Sequence, residues 1–151
     1  MKSTFAALLG ALLAIAAASP LRAQEIPYFV TIDGRPLDAT HPGAREHDGV
    51  IFMNLVKAVR AFDGLLTFAP DGTRVTIGAH SIVYHIGQPT ADTEGGRPIP
   101  LSDAPFVENG DIFIPLDSIA KVASATVTVD KRAHRLDLQT FRNAPRPSPT
   151  P

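Results

Sequence analysis

Apolar positions along this chain fall into short runs that change period several times. Residues 28–32 are β-branched or aromatic and stop at Asp33-Gly34, which predicts a strand closed by a tight turn. Residues 35–49 are polar and carry Pro36, Pro42 and Gly43, so a loop or extended connection is expected there. Residues 50–53 read as a short apolar strand. Beyond them Leu55, Ala58, Val59 and Phe62 lie at i, i+3, i+4 and i+7, one face of a helix. Lys57, Arg60 and Asp63 point elsewhere, and Gly64 is its expected stop. Residues 65–69 and 74–78 flank the turn Pro70-Asp71-Gly72-Thr73 and predict a hairpin. Residues 81–86 give a further strand, and 88–96 a polar connector ending in Gly95-Gly96.

The same order then starts again. Residues 111–114 predict a strand, Leu116, Ile119, Ala120 and Ala123 a helix face, and Pro115 suits a first helical turn. Residues 125–129 and 134–140 predict a second hairpin across Asp130-Lys131-Arg132-Ala133. An offset of 61 aligns Gly49 with Gly110, Ile51 with Ile112, Phe52 with Phe113, Leu55 with Leu116, Thr67 with Thr128 and Arg74 with Arg135. Agreement across turns, helix face and hairpin marks an internal duplication, with copies at about residues 28–87 and 88–141. The expected fold class is α+β: two β-strand/α-helix/β-hairpin repeats, with twisted antiparallel sheets packed on the helices. Leu55, Val59, Phe62, Leu116 and Ile119 are expected against the inner faces of those sheets.

The two ends stand apart from this pattern. Lys2, an Ala- and Leu-rich run over residues 5–18, the breaker Pro20 and the small residue Ala23 together predict a signal peptide over 1–23. The run is too short to span a bilayer comfortably. Cleavage near Ala23 implies export to the periplasm or the outside, with one domain over 24–141. Residues 142–151 alternate Pro with small or charged residues, a composition that favours an extended, disordered tail.

Composition narrows the chemistry. The chain has no cysteine, which removes thiol catalysis, thiolate zinc sites and a disulfide scaffold. Its formal charge of -1 becomes -3 once Lys2 and Arg22 leave with the leader. A mildly acidic domain without a basic stripe is not a nucleic-acid binder, and no span after the leader is long and apolar enough to cross a membrane.

Several short motifs resemble one family. Val30-Thr31-Ile32-Asp33-Gly34-Arg35-Pro36 is similar to the opening strand and turn of copper amine oxidase N-terminal-like (stalk) domains. Asn109 through Leu116, then Ile119-Ala120, resembles their N-G turn, V-P-L strand end and helix. Val127-Thr128-Val129-Asp130 and residues 82–87 resemble two further strands. The resemblance covers residues 28–139 and departs at Asn54, where the first copy lacks Pro, at Val129, where Trp is common, and at Ala123-Ser124. It implies a sheet wrapped around a helix in each unit and a non-catalytic module carried by exported bacterial proteins. Amine oxidation itself belongs to a separate, larger domain that makes a quinone from Tyr in an Asn-Tyr-Asp/Glu context. Tyr28 stands in Pro-Tyr-Phe and Tyr84 in Val-Tyr-His, so neither matches.

No catalytic, cofactor-binding or metal-binding residue is assigned from the sequence, and no cofactor is expected. Ser81, Ser102 and Ser118 lack a G-x-S-x-G elbow, and Gly95-Gly96 lacks the strand-to-helix context of a phosphate loop. Lys57, Arg60 and Lys121 read as a solvated helix face. His80, His85 and His134 lie on or beside predicted strands. The expected function is an exported, non-enzymatic structural or interaction module of the cell envelope, its partner an envelope protein or polysaccharide. Two alternatives remain open at this point. One is a periplasmic copper- or zinc-handling protein using His41 and His47 with Asp38, Glu46 and Asp48; the other is a glycan hydrolase with facing carboxylates.

Overall fold

The computed structural model describes residues 25–141; the leader over 1–23 and the Pro-rich tail over 142–151 lie outside the described residues. The predicted elements form, with shifted ends. β1 (Ile26–Ile32) turns at Asp33-Gly34 into the two-residue β2 (Arg35–Pro36). β3 (Ala44–His47) and β4 (Val50–Asn54) lead into α1 (Leu55–Ala61) and the hairpin β5 (Leu65–Ala69) with β6 (Gly72–Ile77). Next come β7 (His80–Tyr84), β8 (Thr90–Thr93), β9 (Pro98–Pro100) and β10 (Phe106–Glu108). β11 (Asp111–Pro115), α2 (Leu116–Val122), β12 (Ala125–Asp130) and β13 (Arg135–Thr140) close the second copy.

The α+β expectation is corrected. Strand makes up 52% of the described residues and helix only 13%, and the copies do not build separate helix-centred sheets. One eight-stranded sheet runs β10-β11-β4-β3-β1-β13-β12, with β2 on the side of β1; β5-β6-β7-β8-β9 form a second sheet of five. The first is mixed, because β1 runs parallel to β13 while its start pairs antiparallel with β3. The physical reason is size. Each helix is seven residues long, about two turns, and can cover only a fraction of a sheet. Segments expected to be loops meanwhile supply β2, β3 and β8, whose ladders use backbone groups that every sequence carries.

The duplication is joined at its own equivalent strands. β4 and β11 pair antiparallel with Met53 opposite Ile114 and Phe52 opposite Pro115, and Met53 and Ile114 are themselves 61 apart. A pseudo-twofold axis therefore passes through that pair. Both residues are fully buried, in one core with Leu55, Val59, Leu116 and Ile119 as expected; Phe62 packs partly buried against it. Each such aliphatic side chain contributes about 1.5–3 kcal/mol of transfer free energy.

Local chemistry explains the element ends. Asp33-Gly34, Asp48-Gly49 and Asn109-Gly110 all have φ between 48° and 83°, the paired left-handed residues of tight hairpins. After α1 the left-handed position is Asp63, matched by Ser124 after α2. Gly64 is required for a different reason: a Cβ there would lie 2.8 Å from the Thr76 carbonyl oxygen and 2.9 Å from Ile77 Cγ1. Pro115 sits at the N-cap of α2, one place before its first turn. Asn54, where the first copy departs from Pro, caps α1 by accepting from the Lys57 amide at 3.1 Å.

Candidate functional site

Among the described residues, the densest meeting of charge, aromatic surface and concavity lies on the face of the larger sheet turned away from the core. Alternation along β3 sends Ala44 into the core and Arg45 to this outer face. Arg45 stands opposite Pro27 on β1 and Phe52 on β4. Its guanidinium carbon lies 3.9 Å from the Phe113 ring centre and 5.1 Å from that of Phe106. Phe106 packs edge-on against Phe52 and stacked on Phe113, at 5.0 and 5.3 Å. Phe52 is 1% exposed, so this cluster is a small second core beneath a charged lid.

Arg45 Nη1 donates to Glu25, just before β1, at 2.9 Å, and to Glu108 on β10. One guanidinium thus ties three strands together. Its Nε and Nη2 are buried without a hydrogen-bond partner among the described residues. A cavity of about 330 Å³ opens beside it, lined by Glu25, Pro27, Pro42, Ala44, Arg45 and Phe113. Both carboxylates are more than two-fifths exposed, so each ion pair is worth at most about 1 kcal/mol. Stacking of Arg on the rings adds about 0.5–1 kcal/mol. Chemically the group is a fixed positive charge on an aromatic platform, because arginine keeps its proton throughout the working pH range. The sequence reading passed over Arg45 because residues 35–49 showed no apolar alternation. The available signal was Ala44-Arg45 set against Phe52, Phe106 and Phe113, and it is long-range.

The residues weighed from sequence meet only in pairs. His41 is largely exposed, with Nδ1 2.6 Å from Thr40 Oγ1 and 3.7 Å from Asp38. His47 lies at the end of β3, 3.3 Å from Asp48. Asp38 receives the Lys57 ammonium at 2.7 Å, and that contact, with the Thr40 amide and hydroxyl, holds its carboxyl well below the usual carboxylate range. Glu46 accepts the Tyr28 hydroxyl at 2.8 Å. No group of three or more His, Asp or Glu side chains with metal-holding geometry occurs among the described residues. His85, just past the end of β7, is partly exposed, and its Nε2 lies 2.8 Å from Asp92.

The serines are also committed. Ser118 is buried and donates to the Pro115 carbonyl at 2.7 Å, which leaves its oxygen to accept the Tyr84 hydroxyl at 3.0 Å. Burial pushes the Tyr84 phenol well above its ordinary range, and burial followed by the Glu46 contact raises Tyr28. Ser102 donates to Asp117 at 2.8 Å. A wider cleft of about 450 Å³ lies where the C-termini of α1 and α2 come together, with Asp33, Asp63, His80, Ser124 and Phe141 on its walls. Asp33 there accepts both the amide and the hydroxyl of Thr140, each at 2.8 Å.

These features define a β-rich scaffold in which Asp33, Asp38, Arg45, Glu46 and Lys57 engage in cross-strand and loop contacts. Residues 31–137 match the model of the copper amine oxidase N-terminal domain. That is well over half of the chain, which therefore belongs to the copper amine oxidase N-terminal domain family. The region is a stalk-like module of that family. No curated protein and no solved structure matches the chain. No helix among the described residues is long and apolar enough to cross a membrane.

Proposed function

We propose that the protein is an exported, non-catalytic structural or interaction module of the bacterial cell envelope. The observation that carries this reading is the family match over residues 31–137, since this domain is the non-catalytic part of copper amine oxidases. The leader-like composition of residues 1–23 supports export. Support for a binding role comes from the Arg45 site, where a guanidinium stacked on Phe113 and paired with Glu25 and Glu108 borders a cavity. The occupant proposed for it is an envelope protein or a polysaccharide.

The test has three parts. Cell fractionation of the intact chain and of a variant lacking residues 1–23 should move the protein from the envelope or medium to the cytoplasm. Crosslinked pull-down from envelope extract should recover a defined partner with the wild type and lose it with Arg45→Ala. Titration with copper or zinc should show no submicromolar binding; such binding, lost in His41→Ala, would replace this reading with metal handling. Release of reducing ends from envelope glycan by the purified chain would replace it with hydrolysis.

A further inference from the structure

The two sheets end on four edge strands, with the two-residue β2 beside β1, and two of the four are guarded. β9 begins and ends with Pro98 and Pro100, which cannot donate to a neighbouring strand. β10 is three residues long, with Glu108 held by Arg45. β12 carries one charge, Asp130 at its end, and leaves Val129 41% exposed. The fourth, β5, reads Leu-Leu-Thr-Phe-Ala. It has no charge and no proline, yet Leu65 is 72% and Phe68 64% exposed. An apolar, uncharged edge of this kind is a template for strand addition.

The duplication supplies an internal control. At the offset of 61, Leu65 corresponds to Thr126, Phe68 to Val129 and Ala69 to Asp130. The same strand of the same unit thus forms in this chain with polar residues at the ends of the run. The equivalent strand thus forms without an apolar residue at the position of the exposed Leu65.

We propose that β5 is a self-association edge, through which two copies of this chain pair antiparallel and join their five-stranded sheets. A twofold axis perpendicular to a continuous sheet keeps each side chain on its own face, so one residue must oppose itself. With Thr67 at the axis, Leu66 faces Phe68 of the second copy on one side of the sheet, and Leu65 faces Ala69 on the other. Apolar cross-strand pairs of this kind are favourable, and no charged residue falls within the paired run. The chain already makes such a pairing internally, where β4 meets its counterpart β11 about Met53 and Ile114. Because the contact is isologous, one partner occupies each β5 and the association closes at two copies. Asp63 and Asp71, which bracket the strand, approach one another across the axis, so salt strengthens the dimer by screening them.

Sedimentation of the full chain over a concentration series tests this. A five-residue strand pair buries less than the roughly 1,200 Å² of a standard interface, so the expected result is a monomer–dimer equilibrium with Kd in roughly the micromolar range. Leu65→Lys with Phe68→Lys should weaken it at least about tenfold, while Thr126→Lys with Val129→Lys on β12 should leave it unchanged. Since the chain has no cysteine, Thr67→Cys places a lone thiol at the axis. It should form a covalent dimer on mild oxidation much faster than Thr128→Cys; a foreign strand on β5 would give no such bond. A monomer at every soluble concentration would overturn the proposal. So would a dimer that survives the double lysine change, or equal crosslinking of the two cysteine variants.

Discussion

Asn54 offers the most direct check on how the two copies differ. In the second copy Pro115 occupies the N-cap without a side-chain cap hydrogen bond, and Ser118 donates back to its carbonyl. In the first copy Asn54, 5% exposed, accepts from the Lys57 amide, and its own amide donates to the Gly43 carbonyl at 3.3 Å. Replacing Asn54 by Ala removes the acceptor and leaves the first-turn amide of α1 without its cap, a loss of about 1 kcal/mol. Unfolding entropy near 2.1 cal/mol/K per residue over roughly 120 residues converts that into a fall of about 4 °C in Tm. Asn54→Ser keeps a capping oxygen and should recover most of the loss. Asn54→Pro removes both the cap and the donor to Gly43, and should cost more than Ala despite restoring the family residue. Urea unfolding with an unchanged m-value is the measurement. An Ala variant within about 0.3 kcal/mol of wild type, or a Ser variant no better than Ala, would refute the capping argument.

Met53→Ala and Ile114→Ala should each cost about 2–5 kcal/mol, because both are fully buried at the pseudo-twofold pair. Their effects should be non-additive in a double-mutant cycle of chemical denaturation. The only tyrosines, Tyr28 and Tyr84, are both shifted upward by burial, so each favours the folded state below the unfolded phenol value of about 10 and loses that contribution as pH rises beyond it. Phenolate absorbance from Tyr84 should therefore appear only together with unfolding, and a native titration of Tyr84 near the ordinary value would contradict its burial. Asp38 is shifted the other way by Lys57. Its contribution is present above about pH 3.9 and disappears as pH falls through the folded value. Carboxyl NMR shifts should show Lys57→Ala returning it toward the ordinary range. Arg45→Met retains the apolar stem but removes the charge; it should cost at most about 3 kcal/mol of stability while abolishing any partner capture that depends on the guanidinium.

Much of the fold was legible in the residues themselves. Leu55, Ala58, Val59 and Leu116, Ile119, Ala120 carry helical spacing whatever surrounds them, and all six are buried where that spacing put them. Asp33-Gly34, Asp48-Gly49 and Asn109-Gly110 are turns because few other pairs accept two left-handed residues in succession. The residues that agree at an offset of 61 include Phe52 and Phe113, neighbours of Met53 and Ile114, whose strands pair side by side. The Arg45 platform was not legible. Its ring and carboxylate partners come from β4, β10, β11 and the chain before β1, up to 68 residues away at Phe113, and only sheet order makes them neighbours. His41 and His47, near in sequence, have separate partners: His41 lies against Thr40 and Asp38, and His47 against Asp48.

Turns, helices and hairpins follow from contacts a few residues long, so the amino-acid order alone specified them here. Which strands lie side by side does not, because backbone hydrogen-bonding groups are the same at every residue and leave no mark in the pattern. Tertiary packing turned polar stretches into β2, β3 and β8 and set β1 parallel to β13. It also joined two helix-containing units into a mostly β scaffold about Met53 and Ile114, leaving β5 as an edge strand with neither charge nor proline.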